Sequence, residues 1–247
     1  MKLLYPLLLL LLIYQCLCPS VNAATITVVT EYLEPYQTKN SDGSVGGFST
    51  EVIHELFKIT GDQADINVLP WARAYLTAKN KPNVLIYSIA RTNFRENMFH
   101  WIGEFHKTQL YFWGLKKNFT EEFTLKQLQH LRVSVSRDSN VAEYLKQQNF
   151  SAIYQTIKEE QSLPMLFLDR VDLVIATQLT MKTRAKKLNL DFNKLQRLQE
   201  LSSLDNSLNA AFNTKTPPDV VDKYKKAFQK LKSNGKLKSI KEKWQIQ

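Results

Sequence analysis

Apolar and polar positions follow two rhythms along this chain. Short apolar runs, TITVVT (25–30), ADINVLP (64–70) and NVLIYSIA (83–90), read as buried strands. Between the first two, Val52, Ile53, Leu56 and Phe57 recur at helical spacing from Ser49 onward, and Gly61 closes the run. WARAYLTAKN (71–80) follows Pro70 as a second, shorter helix. Asp42-Gly43 marks a turn, and Gly46-Gly47 permits tight backbone before the first helix. A strand–helix–strand–helix–strand series predicts parallel pairing, because each helix returns the chain to the end where it started.

A second series begins near Leu110. QLYFWGLKK (109–117) reads as a strand, FTLKQLQHL (123–131) as a short helix and RVSVS (132–136) as a strand. NVAEYLKQQN (140–149) is a helix started by Asp138, Ser139 or Asn140 as cap. AIYQTI (152–157) is a strand, EEQSLPMLFLDR (159–170) mostly helix, and VDLVIAT (171–177) and SLNAAFN (207–213) are strands. Thr216-Pro217-Pro218-Asp219 opens a long helix that buries Val220, Val221, Tyr224, Phe228 and Leu231 and stops at Gly235. A last short helix carries Leu237, Ile240 and Trp244. The pattern predicts an α/β protein of two lobes with a cleft between them. Ligands in open α/β sheets sit at the carboxyl ends of the strands, so the cleft is the expected site.

The first residues change the picture. Lys2, an apolar run from Leu3 and Val21-Asn22-Ala23 form the pattern of a secretory signal peptide over 1–23, cleaved after Ala23. Pro6 interrupts the run, which is shorter than the ~20 residues a spanning helix needs. Both cysteines, Cys16 and Cys18, fall in this segment, so the exported chain carries no disulfide and must be held by its core. A bacterial periplasm suits an exported, unstapled protein. The formal net charge is +10, with basic residues concentrated in KYKKAFQKLKSNGKLKSIKEKW, which reads as a solvated helix face rather than a binding patch. No nucleic-acid motif accompanies the charge.

Four stretches, in order, resemble bacterial extracellular solute-binding proteins of family 3, periplasmic receptors for amino acids and similar solutes. They are EPYQTKNSDGSVGGFSTEV, SIARTNFRENMFHW, LDRVDLVIAT and KAFQKLKSNGKLKSIKEKW, and the likeness spans residues 25 to 247. The resemblance implies a type II, periplasmic-binding-protein-like clamp. Lobe one would comprise 24–108 plus 205–247, and lobe two 109–204. It implies that Arg95 grips a ligand carboxylate, as its planar fork suits it to do, with Ser88 contributing a hydroxyl or backbone contact. If 92–97 is helical, Arg91 lies one turn from Arg95 and both can face the cleft; the alternative is that one of the two pairs with Glu96 or Glu104 to hold the loop.

Further cleft candidates are Glu31, Tyr32 and Tyr36 after the first strand, and Trp71 and Arg73 in LPWARA. For Tyr36 and Trp71 the alternative is plain core. Ser139 and Asn140 open a helix whose free N–H groups can receive a carboxylate. Relatives place an aspartate for the ligand's ammonium where this chain has Thr177. A hydroxyl supplies no charge, so Glu31, Glu34 or Asp138 takes that role or the solute lacks an α-ammonium.

No metal-ligand spacing, phosphate loop or nucleophile motif is present, so neither a cofactor nor a metal is expected, and the protein is not expected to be an enzyme. The expected function is capture of a small carboxylate-bearing solute, an amino acid or related compound, by a monomeric periplasmic protein serving an ABC-type transporter. The alternatives are a ligand-sensing protein feeding a receptor or kinase, and an exported enzyme on the same scaffold, such as a cyclohexadienyl dehydratase with Glu31 or Glu34 as acid.

Overall fold

The computed structural model describes residues 24–246. The signal-peptide expectation falls on 1–23 and lies outside the described residues.

The first sheet is built on β1 (Thr25–Thr30), flanked in parallel by β4 (Gln63–Val68) and β5 (Val84–Ile89). Two antiparallel strands complete it, β12 (Ser207–Asn213) beside β5 and β6 (Phe99–Lys107) at the edge, giving the order β4-β1-β5-β12-β6. β2 (Thr38–Lys39) and β3 (Val45–Gly46) form a small hairpin across the Asp42-Gly43 turn. The second sheet has the order β11-β7-β10-β8-β9. Its members are β7 (Tyr111–Leu115), β8 (Arg132–Ser136), β9 (Ala152–Thr156), β10 (Leu173–Ala176) and β11 (Leu195–Glu200). The chain therefore passes between the sheets after β6 and returns before β12, as the type II two-lobed fold requires.

Side-chain alternation decides which helix covers which face. In β5, Leu85 and Tyr87 point to one side and Val84 and Ile86 to the other. The first side is covered by α1 (Phe48–Thr60), α7 (Pro218–Ser233) and α8 (Lys236–Lys243), and the second by α2 (Trp71–Asn80). The second lobe repeats this plan. α3 (Leu125–Leu128) and α4 (Asn140–Gln147) lie on one face, and α5 (Ser162–Phe167) and α6 (Gln178–Lys187) on the other.

The first helix ends as its sequence predicts, with Gly61 left-handed at φ 74° and its N–H bonded to Phe57 O. Three elements escape the sequence pattern. α6 reads QLTMKTRAKK and buries only Thr180, Met181, Arg184 and Ala185, too little apolar surface to show a stripe. β11 is an edge strand with mostly exposed positions, and β6 interleaves His100, Gly103 and Glu104 with its apolar residues. The segment before β6 is also not the α-helix considered for 92–97. It is a turn closed by Arg95 N–H to Thr92 O, followed by a short 3-10 helix over Glu96–Met98.

Candidate functional site

Three strand ends converge between the lobes. β1 ends at Thr30 and presents Glu31; β8 ends at Ser136 and turns into α4; β10 ends at Ala176 and turns into α6. Together with Tyr36, Thr108 and Asn206 they enclose a compartment of about 100 Å³. Its walls include Leu33, Leu110, Val135, Ile175 and Leu208. A second hollow of about 350 Å³ lies outside it, lined by Tyr32, Lys39, Leu69, Pro70 and Lys187. Glu31 and Glu159 line both and stand at the waist between them.

The waist is electrostatically uneven. Glu31 comes from the first lobe, and Glu159 from the 3-10 turn Glu159–Gln161 of the second. Arg184 of α6, nearly fully buried, forms an ion pair with Glu159. Burial and the neighbouring Glu159 charge push the Glu31 carboxyl up to about 8, against the opposing pull of Arg184. Ser136 Oγ, on the compartment wall, is buried without a hydrogen-bond partner among the described residues.

The α4 start supplies the opposite polarity. Ser139 caps the helix by accepting the Ala142 N–H at 3.0 Å, and Asn140 Nδ2 donates to Asn206 Oδ1 at 3.1 Å. Ser139, Asn140 and Val141 face the compartment, where first-turn N–H groups and the helix dipole favour an anion. Thr177 lies there too, but its hydroxyl caps α6 by accepting the Thr180 N–H at 3.0 Å. Tyr36 is both core and wall. Its ring meets Phe48 edge-on, and burial, partly offset by a hydrogen bond to Thr177, raises its phenol.

The remaining sequence candidates fall elsewhere. Arg95 is only 2% exposed and does not line the compartment. Its guanidinium lies over Tyr75 and Trp71, 4.8 and 5.5 Å from the ring centres, and donates to Ala90 O and, across the lobes, to Asp138 O at 3.3 Å. Trp71 belongs to the core beneath α2, yet its Nε1–H reaches the same Asp138 carbonyl at 3.0 Å. Arg91 takes the pairing alternative: it lies over the Trp101 ring and forms a two-pronged pair with Glu96, at 2.7 and 2.5 Å, while lining with Arg95 a separate hollow of about 250 Å³ that reaches Asn140 and Glu143 of the second lobe. Arg73 is a correction. α2 buries Trp71, Ala74 and Ala78, and helical period turns Arg73 to solvent. Ser88, left-handed at φ 58°, accepts a hydrogen bond from Gln37 Nε2 rather than facing the compartment. Tyr32 lines the outer hollow. Of the alternative acids, Glu34 pairs with Lys187 across the lobes at 2.5 Å and Asp138 is exposed, which leaves Glu31.

Sequence reasoning missed Glu159, Arg184 and Ser136. Glu159 sits in an ordinary Glu-Glu-Gln helix start, Arg184 in the unread α6, and Ser136 ends a strand with no distinguishing neighbour. His100 and His106 stand six residues apart on β6, roughly 20 Å at strand rise, too far to share an ion.

No family model matches the chain, and no curated protein sequence matches it. Its fold is nevertheless that of solved structures. An ancestral arginine-binding protein bound to arginine is similar with a TM-score of 0.78 at 17% identity, covering 90% of this chain and 98% of that one. A putative L-cystine ABC transporter protein from Listeria monocytogenes gives 0.78 at 21% identity over 91% and 97%. A histidine kinase sensor domain with similarity to periplasmic binding proteins gives 0.79 at 13% identity over 90% and 96%. The chain thus has the two-lobed fold of periplasmic binding proteins.

Proposed function

We propose that this protein is an exported, periplasmic solute-binding protein whose lobes close over a small carboxylate-bearing solute, an amino acid or a related compound, for delivery to an ABC-type permease. One observation carries the reading: both lobes wall a compartment at their strand ends that is lined by a helix N-terminus and by Glu31. Such a site offers partners to both an anion and a cation, and its apolar side chains exclude water. The α4 start takes the carboxylate. Arg95 acts on it indirectly, by holding the Asp138 carbonyl of the same turn. Fold neighbours that include amino-acid receptors and a kinase sensor domain support the class of ligand and leave two kinds of partner for the closed clamp. A liganded clamp that signals instead of delivering would leave uptake of its solute unchanged when the gene is deleted.

The test is a thermal-shift screen on protein unfolded and refolded to strip bound solute, against amino acids, dicarboxylates, polyamines and prephenate-like compounds. A ligand at ~1,000 times its dissociation constant adds about 4 kcal/mol, roughly 8–16 °C for a chain of this size. A shift of that size from one compound class, with the compound recovered unchanged, is expected. No shift from any class overturns the reading.

A second reading rests on Glu31 itself. A cleft carboxyl held up to about 8 is protonated at neutral pH, which general-acid chemistry needs. An exported dehydratase-like enzyme would convert the prephenate-like compound rather than return it, and Glu31→Gln would stop the conversion.

A further inference from the structure

A further hollow, of about 680 Å³, opens beside the cleft on the second lobe. Six large apolar side chains are exposed among the described residues, and four of them, Tyr154, Ile157, Leu168 and Leu188, line it. Single exposed apolar residues need no explanation, but a clustered set does. The floor of the hollow is a strand edge. Tyr154, Gln155, Thr156 and Ile157 are consecutive, and all four line it. Neighbouring side chains on a strand point to opposite faces, so such a run meets one hollow only through the edge of the strand. β9 is the end strand of its sheet, paired with β8 on one side and with no strand on the other among the described residues. Thr156 O accepts the Arg137 N–H in continuation of the β8 pairing, so alternation turns the N–H and C=O of Gln155 outward. A free strand edge between apolar walls is what an extended peptide needs in order to dock.

The hollow is also continuous with the cleft. It shares Tyr32, Glu160 and Lys187 with the outer hollow, which in turn shares Glu31 and Glu159 with the inner compartment. The compartment alone, at about 100 Å³, is smaller than the roughly 300–1,000 Å³ of small-molecule sites, so it suits a head group better than a whole solute. Most charge along the route is already matched. Lys187 pairs with Glu34 and Arg184 with Glu159, and the exposed Arg170 and Glu160 are of opposite sign. What the groove offers a visitor is therefore apolar wall and backbone.

We propose that the solute is a short peptide. Its carboxylate end enters the compartment at the α4 start, and an apolar residue nearer its amino end lies in the groove with its main chain along β9. The proposal rests on the solute-binding reading and deepens it by naming the class of solute. Tyr32 and Glu34 of the first lobe complete a groove otherwise built by the second, so a residue seated there contacts both lobes and favours closure.

The experiment uses the refolded protein and three probe peptides, Leu-Gly, Leu-Gly-Gly and Leu-Gly-Gly-Gly, each beside the all-glycine peptide of the same length. Free leucine and the C-terminal amides of the peptides complete the set, and titration calorimetry at pH 7 reads affinity. At least one leucine peptide should bind about 10-fold or more tighter than its glycine counterpart and than free leucine. Amidation of its carboxylate should cost about 10-fold or more. Ile157→Ser and Leu168→Ser should each remove most of the leucine preference. Gln155→Pro, which an edge strand tolerates, takes away the outward N–H and should weaken the leucine peptide several-fold. Circular dichroism and thermal melts establish that each variant is folded, and an N-methylated peptide replaces Gln155→Pro if that variant is not. Leucine peptides that bind no better than glycine peptides or free leucine overturn the proposal, while the solute-binding reading stands on the compounds of the wider screen. A concentration-dependent dimer in sedimentation, abolished by Leu168→Ser, assigns the groove to a second copy and also overturns it. If neither the peptides nor any compound of the wider screen shifts the wild-type melt, both readings fall.

Discussion

Arg95 illustrates how a residue's type can be read from sequence while its task is set by its surroundings. A guanidinium after a strand end suits a carboxylate, but here two aromatic faces and two backbone carbonyls occupy it. Because the Asp138 carbonyl belongs to the other lobe, Arg95 and Trp71 act as a tie across the cleft. Arg95→Ala removes two cation–π contacts and charge-assisted hydrogen bonds, and should cost about 2–4 kcal/mol in urea unfolding. Arg95→Lys should recover little of this, since an ammonium has no planar fork to lie over both rings and reach both carbonyls. Retention of wild-type stability in Arg95→Ala would refute the tie. The acids at the waist show the converse. Glu31 was legible as the residue that follows a buried strand, whereas its partner Glu159 looks like any acid at a helix start, since charge pairing across 128 positions leaves no local pattern.

At the scale of elements, register and close approach decide what a helix can rest on. α7 crosses β6 at Gly103, where any Cβ would overlap the Phe228 ring. Gly103→Ala should therefore displace Phe228 from the first-lobe core and lower stability by about 1–3 kcal/mol in denaturant unfolding. A neutral substitution would mean the helix shifts freely on the sheet. Gly47 has a different constraint, a left-handed φ of 99° with the position of a Cβ only 2.5 Å from Tyr36 O, so this glycine lets the Tyr36 loop lie against the start of α1. The strands with clean apolar runs and the helices with wide apolar stripes were legible because each buries one continuous face. α6 was not, since it is held by a buried arginine, a threonine cap and two small apolar contacts, and it carries Arg184 to the site. The RVD stretch was recognisable, but its aspartate is structural. Asp172 accepts Arg132 Nε, Nη2 and backbone N–H at 2.7–3.0 Å and locks the starts of β8 and β10 together.

For the whole molecule, protonation of two groups shapes the pH dependence of folding stability. Glu31 is held up to about 8 from 4.5, so the folded state keeps a proton that the unfolded chain loses, and stability falls as pH rises through that interval. Burial holds the His106 imidazole down to about 4 from 6.5, so its contribution is present above 6.5 and lost as pH falls toward 4. Between pH 4.5 and 6.5 the two slopes oppose, and from 6.5 to 8 Glu31 acts alone. The solute-free melting temperature should be nearly flat over the lower range and drop by several degrees over the upper. Glu31→Gln should abolish the upper drop. A wild-type melting temperature that holds steady to pH 8 would contradict the assignment. The same charge should loosen the cleft in alkali, visible as a larger radius of gyration in solution scattering.

Sequence alone determined what repeats locally. The strand and helix periodicities, the turn at Asp42-Gly43, the helix stop at Gly61 and the two-series order are each written within a few neighbouring residues, and they suffice for an α/β fold in two lobes. It also marked the strand ends where Glu31, Tyr36, Ser139, Asn140 and Thr177 reach the compartment. Only the tertiary structure decided which guanidinium faces solvent, which ties the lobes and which neutralises an acid. It alone brought Glu159, Arg184 and Ser136 to Glu31. The physical reason is that burial and pairing of a charge depend on groups distant in sequence, brought together when two separate sheets meet.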